Sequence, residues 1–269
     1  MNSFSFVHIT DHHLPEAESI LVRGFSPTYA FRKVMNHIAE NVAARADFIV
    51  STGDLVEPRS QQAYQFIRQM LSLRLVSDLP GPQPISIEGL QDFPMVFLPG
   101  NHDDREFFFS HLYRSVPHTS LMNVAFQHKG VQFICLDWGM QAKAVASPEL
   151  FDFLRQALEV ELPSVILTHH HLVPIGSRWL DKFIADDIDQ FWEIVTAPGV
   201  SHKVLGMICG HVHMTYEEQV EGIPVLGLRS TAFPFAHTDE PLTILEPPHY
   251  RLVTIQDGIL TSRVYEVPL

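Results

Sequence analysis

The feature that most constrains this chain is how its apolar runs end. HIT ends in Asp11-His12-His13, IVSTG ends at Asp54, and VFLPG ends in Asn101-His102-Asp103. VILT ends in His169-His170-His171, and MICG ends in His211-Val212-His213. Five separate strand-like segments therefore deliver carboxylate, amide or imidazole groups directly after their last apolar residue. In α/β sheets the crevice beyond the strand carboxyl ends is where ligands bind, so these ends are expected to meet at one site.

The runs FSFVHIT, ADFIVSTG, FPMVFLPG, VQFICLDW, PSVILTHH and VLGMICGH all read as buried strands rich in Val, Ile, Phe and Leu. Residues 28–45, 60–74, 148–160 and 187–195 space their apolar positions at helical intervals. Alternation of strand and helix predicts an α/β layered fold with helices on the sheet faces. The tail differs: IPVLGLRSTAF, HYRLVTIQDG and LTSRVYEV read as strands joined by short turns, including Asp257-Gly258. Two mixed sheets packed as a sandwich, flanked by helices, fit this better than one parallel sheet. Residues 76–93, rich in Pro and Gly, read as a surface excursion. No interior linker or repeat divides the chain, so residues 1–269 are expected to form one domain.

Composition narrows the function classes. A formal net charge of −13 repels polyphosphate backbones and argues against duplex nucleic acid as a partner. A small phosphate substrate is not excluded, because bound cations dominate the local field of a metal site. Cys135 and Cys209 lie inside apolar runs and read as buried reduced thiols. The amino terminus lacks the pattern of a signal peptide, and no run reaches the ~18 apolar residues of a membrane span. A cytoplasmic protein is the expectation, and a homodimer is compatible with the sequence.

The sixteen histidines carry the chemistry. His37, His111, His118, His128, His202 and His249 are scattered in helical or loop contexts that suit surface or packing roles, and His8 alternates within the first strand as a core residue. The D-x-H of Asp11 and His13 and the H-x-H of His211 and His213 put each pair on one side of a strand exit, because side chains alternate with period two. Oxygen and imidazole donors without cysteine suit Mn, Fe, Zn or related divalent ions, and exclude a Cys-type structural zinc site.

Taken in order, D-x-H, G-D, G-N-H-D, a late H-H and G-H-x-H resemble the calcineurin-like metallophosphoesterases, from Phe6 to roughly Phe235. That family's fold is a β-sandwich flanked by helices. The resemblance implies a dinuclear metal site at the strand ends. Asp11, His13 and His213 would hold the first ion, Asn101, His169 and His211 the second, with Asp54 bridging. Mn and Fe are the foremost candidates, with Zn, Co or Ni as further options. Such a pair, ~3.5–4 Å apart, activates a bridging hydroxide and clamps the phosphate. The resemblance places His102 against the phosphoryl group as acid for the leaving oxygen, and Asp103 is expected to orient its imidazole. His13, Asn101, His102, His170 and His213 are the expected substrate contacts, with His170 and His171 at the substrate rim or behind the ligands.

Three stretches resemble the bacterial class III cyclic-nucleotide phosphodiesterases in particular: LTHHHLVPIGSRWLD, ICLDWG, and ICGHVHMTYEEQVEGIPVLGLRSTAF with its Ser230-Thr231. They imply a small phosphodiester, 3′,5′-cyclic AMP above all, as substrate. Leu172 stands where that group has Pro, and the segment from Asp54 to Asn101 is longer. Met214 and Phe233-Pro234-Phe235 suit the walls of a base pocket, or equally core packing or a dimer contact. The alternatives are a glycerophosphodiester or broad phosphodiesterase, a protein phosphatase, and a non-catalytic metal-binding module. The phosphatase reading is weakened because only Arg105 stands near a ligand motif.

Overall fold

The computed structural model describes residues 3–76, 81–114 and 121–269. Six strands form one mixed sheet in the order β12-β11-β1-β2-β4-β3. They are β1 (Phe4–Ile9), β2 (Phe48–Thr52), β3 (Gln83–Ile87), β4 (Leu90–Leu98), β11 (His249–Gln256) and β12 (Ile259–Glu266). The second sheet, in the order β5-β6-β7-β8-β10-β9, contains β5 (Val124–His128), β6 (Val131–Leu136), β7 (Ser164–Thr168), β8 (Val204–Cys209), β9 (Tyr216–Val220) and β10 (Ile223–Gly227). In each sheet the central neighbours are parallel and the margins antiparallel. The two mixed sheets, with their helices, form the expected α/β sandwich.

Burial on both faces explains why the inner strands read as unbroken apolar runs rather than alternating ones. In β6, Phe133 and Cys135 join the large core between the sheets, while Ile134 and Leu136 pack with α4 (Pro148–Leu158) and α5 (Ile188–Val195). Val165 and Leu167 against Ile166 repeat the pattern in β7. Phe133 meets Phe6 and Phe48 edge-on, with centroids 5.4 and 5.5 Å away, and stacks on Phe126 at 4.9 Å. This aromatic contact ties one sheet to the other. The first sheet is covered by α1 (Pro27–Asn41), α2 (Gln61–Met70) and α3 (Arg105–Leu112), which share its core. Both cysteines are buried and unpaired, and burial pushes the Cys209 thiol up to about 12.

Residues 76–93 are not simply an excursion. Residues 77–80 lie outside the described residues, but Gln83–Ile87 forms edge strand β3, which pairs with β4. Pro84 sits opposite Pro94 in that pairing. Proline lacks the N–H a central strand would need but is tolerated at a sheet edge, so the prolines disguised a strand. His8 is buried as expected, its Nε2 2.8 Å from Thr52 Oγ1; His118 lies outside the described residues. Among the described residues no helix is long and apolar enough to cross a membrane.

Candidate metal centre and active site

β1, β2 and β4 of the first sheet and β7 and β8 of the second end on the same side of the sandwich, and their exits carry the predicted donors. Asp54 Oδ1 accepts the backbone N–H of His102 at 2.7 Å. Its Oδ2 stands 3.6 Å from His13 Nε2 and 3.3 Å from His169 Nε2, between the two groups of donors. On one side, His213 Nε2 lies 3.3 Å from Asp11 Oδ1 and 3.1 Å from His13 Nε2. On the other, His169 Nε2 lies 3.1 Å from Asn101 Oδ1 and 3.3 Å from His211 Nδ1. All seven residues are buried. The geometry brings together every predicted metal donor.

The way they converge differs from the expected pleat alternation. β1 ends at Ile9 and β8 at Cys209, before the donors begin. Asp11, His13, Asp54, His211 and His213 all have positive φ, between 43° and 72°. In D-x-H and H-x-H alike, two left-handed residues flank a third, and that turn re-aims both side chains. Non-glycine residues held there cost about 1–3 kcal/mol each and cluster at functional sites. Two glycines make room for the donors. A Cβ at Gly100 would sit 2.2 Å from Asp54 Oδ1, and one at Gly210 would sit 2.6 Å from Asp11 Oδ2. These contacts explain the G-N and G-H dipeptides in steric terms.

The donor set fits divalent metal ions. His169 Nδ1 donates to the Thr52 carbonyl at 2.8 Å, and His213 Nδ1 to the Phe233 carbonyl at 2.6 Å. Each bond fixes the ring with Nε2 aimed at the buried carboxylates, as outer partners of metal-binding imidazoles do. Buried negative charge calls for a cation. Burial alone would lower His169, but the Asp54 and Asp11 carboxylates push it up to about 9. Burial would raise Asp11, yet His213 above all holds it below the usual carboxylate range. His211 is driven well down, first by burial and then by its imidazole neighbours.

Several partners position this set. His12 is buried, with Nδ1 2.7 Å from Thr231 Oγ1 and Nε2 2.8 Å from Ser51 Oγ, and burial lowers it to about 3. Ser230 Oγ donates to the Asp11 carbonyl at 2.6 Å. The Ser230-Thr231 pair thus braces the first motif from across the sandwich. Arg105 is occupied: its Nε and Nη2 donate to the two carboxylate oxygens of Asp137 at 2.7 and 2.6 Å, and its Nη1 donates to the Gly100 carbonyl at 2.8 Å. It clamps the loop bearing Asn101, which accounts for the Leu-Asp ending of β6. Asp181, in the WLD stretch, accepts from Ile175 N at 2.8 Å and Gly176 N at 3.1 Å and shapes the loop after the His triple.

Two expectations need correction. Asp103 does not orient His102. A turn closed by Asp103 N to the Gly100 carbonyl at 3.2 Å carries its side chain back into the protein. There the carboxylate accepts from Gly100 N at 2.8 Å, Leu55 N at 3.1 Å and Tyr64 Oη at 2.7 Å. The carboxylate facing His102 is Glu57, whose Oε2 lies 3.8 Å from His102 Nδ1 and 3.0 Å from His13 Nδ1. The second correction is that His170 does not reach the substrate cleft; of the two places expected for His170 and His171, both take the one behind the ligands. Both are buried and neither lines the cleft: His170 Nε2 donates to the Gln141 carbonyl at 2.9 Å, and the His171 ring stacks on His211. Burial lowers them to about 4 and about 3, respectively.

A cleft of about 550 Å³, part of it open to solvent, lies over the donors. His13, Asp54, Asn101, His102, His211 and His213 reach it, and Trp179, Phe183, Phe233 and Phe235 form aromatic walls. Met214 instead packs with Ile175, Leu180 and Val212. Arg23 also lines the cleft, and sequence reasoning missed it together with Glu57. Glu57 had a signal, a carboxylate three residues after Asp54. Arg23, in a loop between motifs, had none.

The chain resembles known proteins along nearly its whole length. It is 28% identical over 274 residues to the 3′,5′-cyclic adenosine monophosphate phosphodiesterase CpdA of Vibrio vulnificus, covering 98% of this chain and 90% of that protein. It is 27% identical to CpdA of Escherichia coli K12, over 97% of this chain and 89% of the relative. Among solved structures, GAP50, the anchor in the inner membrane complex of Plasmodium, superposes with a TM-score of 0.60 at 10% identity, over 98% of this chain and 84% of that one, which shows a shared fold. The family model for calcineurin-like phosphoesterases matches residues 4–215. That span contains all seven donors, so this chain belongs to the calcineurin-like phosphoesterase family and is a hydrolase of phosphoester bonds.

Proposed function

We propose that this phosphoesterase is a 3′,5′-cyclic nucleotide phosphodiesterase that opens cyclic AMP to AMP. The observation that carries the reading is similarity to enzymes of that name across 97–98% of the chain, including regions beyond the metal donors. In this reading Asp11, His13 and His213 would hold one divalent ion and Asn101, His169 and His211 the other, with the Asp54 carboxylate between the two groups. Bound there, the ions supply Lewis acidity at the phosphoryl oxygens and lower the pKa of water.

The chain's own residues do the rest. The Thr52 and Phe233 carbonyls hold the His169 and His213 rings in orientation before substrate arrives. Asn101 and His102 line the cleft where the phosphoryl group would sit. Glu57 faces His102 Nδ1, which leaves Nε2 to give a proton to the departing ribose oxygen. The aromatic walls exclude water around the nucleoside. Arg105 is locked on Asp137 and is not available to grip a phosphomonoester.

The test is kcat/KM with Mn across cyclic AMP, cyclic GMP, 2′,3′-cyclic AMP, a glycerophosphodiester and a phosphomonoester. Cyclic AMP should lead. Equal turnover of all diesters, or a lead for the glycerophosphodiester, would replace this reading with the broader one.

A further inference from the structure

Among the described residues that line the cleft, Arg23 alone carries a fixed positive charge, and its close contacts are aromatic rings. It sits at the tip of a two-residue turn, Val22-Arg23-Gly24-Phe25, closed by Val22 N to Phe25 O at 3.0 Å and Phe25 N to Val22 O at 2.9 Å. Arg23 and Gly24 have φ of 52° and 84°, the mirror-image turn that favours Asn-Gly. A long side chain at the first position is against backbone preference, which suggests the guanidinium is wanted there.

Its placement is specific. The guanidinium carbon lies 5.2 Å from the Phe233 centroid and 5.8 Å from that of Phe235. Those rings pack on first-site imidazoles: Phe233 stacks on His13 at 4.9 Å, and Phe235 on His213 at 4.3 Å. Arg23 is therefore one aromatic layer from the first metal's ligands. Among the described residues its guanidinium makes no hydrogen bond or close ion pair; the Glu57 carboxylate feels its charge from farther away, and the donor fork stays open. Such a fork matches paired anionic oxygens.

We infer that Arg23 is an anion-gripping residue of the substrate site, binding a non-bridging phosphoryl oxygen and so selecting for the charged diester irrespective of its base. The inference rests on the phosphoesterase reading of the cleft. A guanidinium fork could instead read a purine edge, where it would favour guanine with its two acceptors. The first-site position on Phe233 favours the phosphoryl group.

The experiment titrates metal-loaded wild type, Arg23→Gln and Arg23→Lys with inorganic phosphate by calorimetry, alongside metal content. The same proteins are then assayed on cyclic AMP, cyclic GMP and bis(p-nitrophenyl) phosphate. Arg23→Gln should weaken phosphate binding roughly 10–100-fold, the worth of a charge-assisted pair. Arg23→Lys should recover part of it, with two metals retained in both. KM should rise alike for all three diesters. Unchanged phosphate affinity, a KM loss confined to the nucleotides, or loss of metal in both variants would overturn the assignment. Wild type that binds phosphate but turns over no diester would sink the phosphodiesterase reading while leaving the Arg23 comparison readable.

Discussion

Replacing Asp103 by Ala separates structural support from chemistry at the most crowded part of the site. The substitution removes the acceptor of three buried donors: Gly100 N at 2.8 Å, Leu55 N at 3.1 Å and Tyr64 Oη at 2.7 Å. A buried donor left unpaired costs about 1–3 kcal/mol. Neighbouring losses are not additive and water can enter the gap, so about 3–5 kcal/mol is expected in total. For a chain of this length each kcal/mol moves the midpoint by about 2–4 °C, so the metal-stripped variant should melt about 6–20 °C below wild type. Leu55 follows Asp54 and Gly100 precedes Asn101, so metal affinity should fall as well. Asp103→Asn, which keeps one acceptor oxygen, should lose less. The assay is denaturation of stripped and loaded protein together with turnover on esters of graded leaving-group pKa. Wild-type stability and metal content, with a loss confined to poor leaving groups, would refute this account and return Asp103 to orienting the acid.

The other predictions concern individual groups. His102→Ala should keep both metals and lose roughly 10²–10⁴-fold in turnover on cyclic AMP, with a much smaller loss on a nitrophenyl ester; equal losses would reduce His102 to a positioning role. His169→Ala should deplete one metal site, whereas His170→Ala should keep both ions and alter activity modestly, about 10–100-fold at most; metal counting on the two variants decides, and the opposite pattern would shift the second site by one residue. Metal uptake should release protons. In the metal-free protein the carboxylates push His169 up to about 9, while His13 and His211 are lowered, burial first among the causes. Binding below that pH must therefore displace about one proton from His169, and log Kd should improve by about one unit per pH unit between pH ~6.5 and 8.5 and level off above. Calorimetry in buffers of different ionisation enthalpy reads the proton directly, and a buffer-independent heat would contradict it.

Much of the fold was legible because its central strands are buried on both faces, which turns β1, β2, β6, β7 and β8 into unbroken apolar runs that end abruptly at polar donors. The donors were legible because oxygen and imidazole groups seldom gather at five strand ends without a shared ligand. What failed did so where local pattern and three-dimensional path part. Pro84 and Pro94 hid an edge strand, since a proline-rich segment looks like loop until its place at the margin is known. Asp103 neighbours His102 in sequence, yet the Gly100–Asp103 turn sends its side chain inward. The D-x-H and H-x-H pairs do converge, but through left-handed residues that no alternation rule anticipates. His170 was expected among the substrate contacts, whereas the loop folds it into the interior, and His170 and His171 both take the alternative place behind the ligands. Arg23 reaches the cleft on a turn far from any motif, so only the folded chain brings it there.

In the proposed reading, phosphodiester hydrolysis depends on two ions held by the seven clustered donors. The most direct measurement adds Mn stepwise to chelator-stripped protein while cyclic AMP hydrolysis and bound metal are recorded together. Activity should be absent without metal and should saturate as occupancy reaches two ions per chain, with Asp54→Asn, which loses the shared carboxylate charge, falling short in both quantities. Full activity in the stripped protein, or saturation at a single bound ion, would contradict the account.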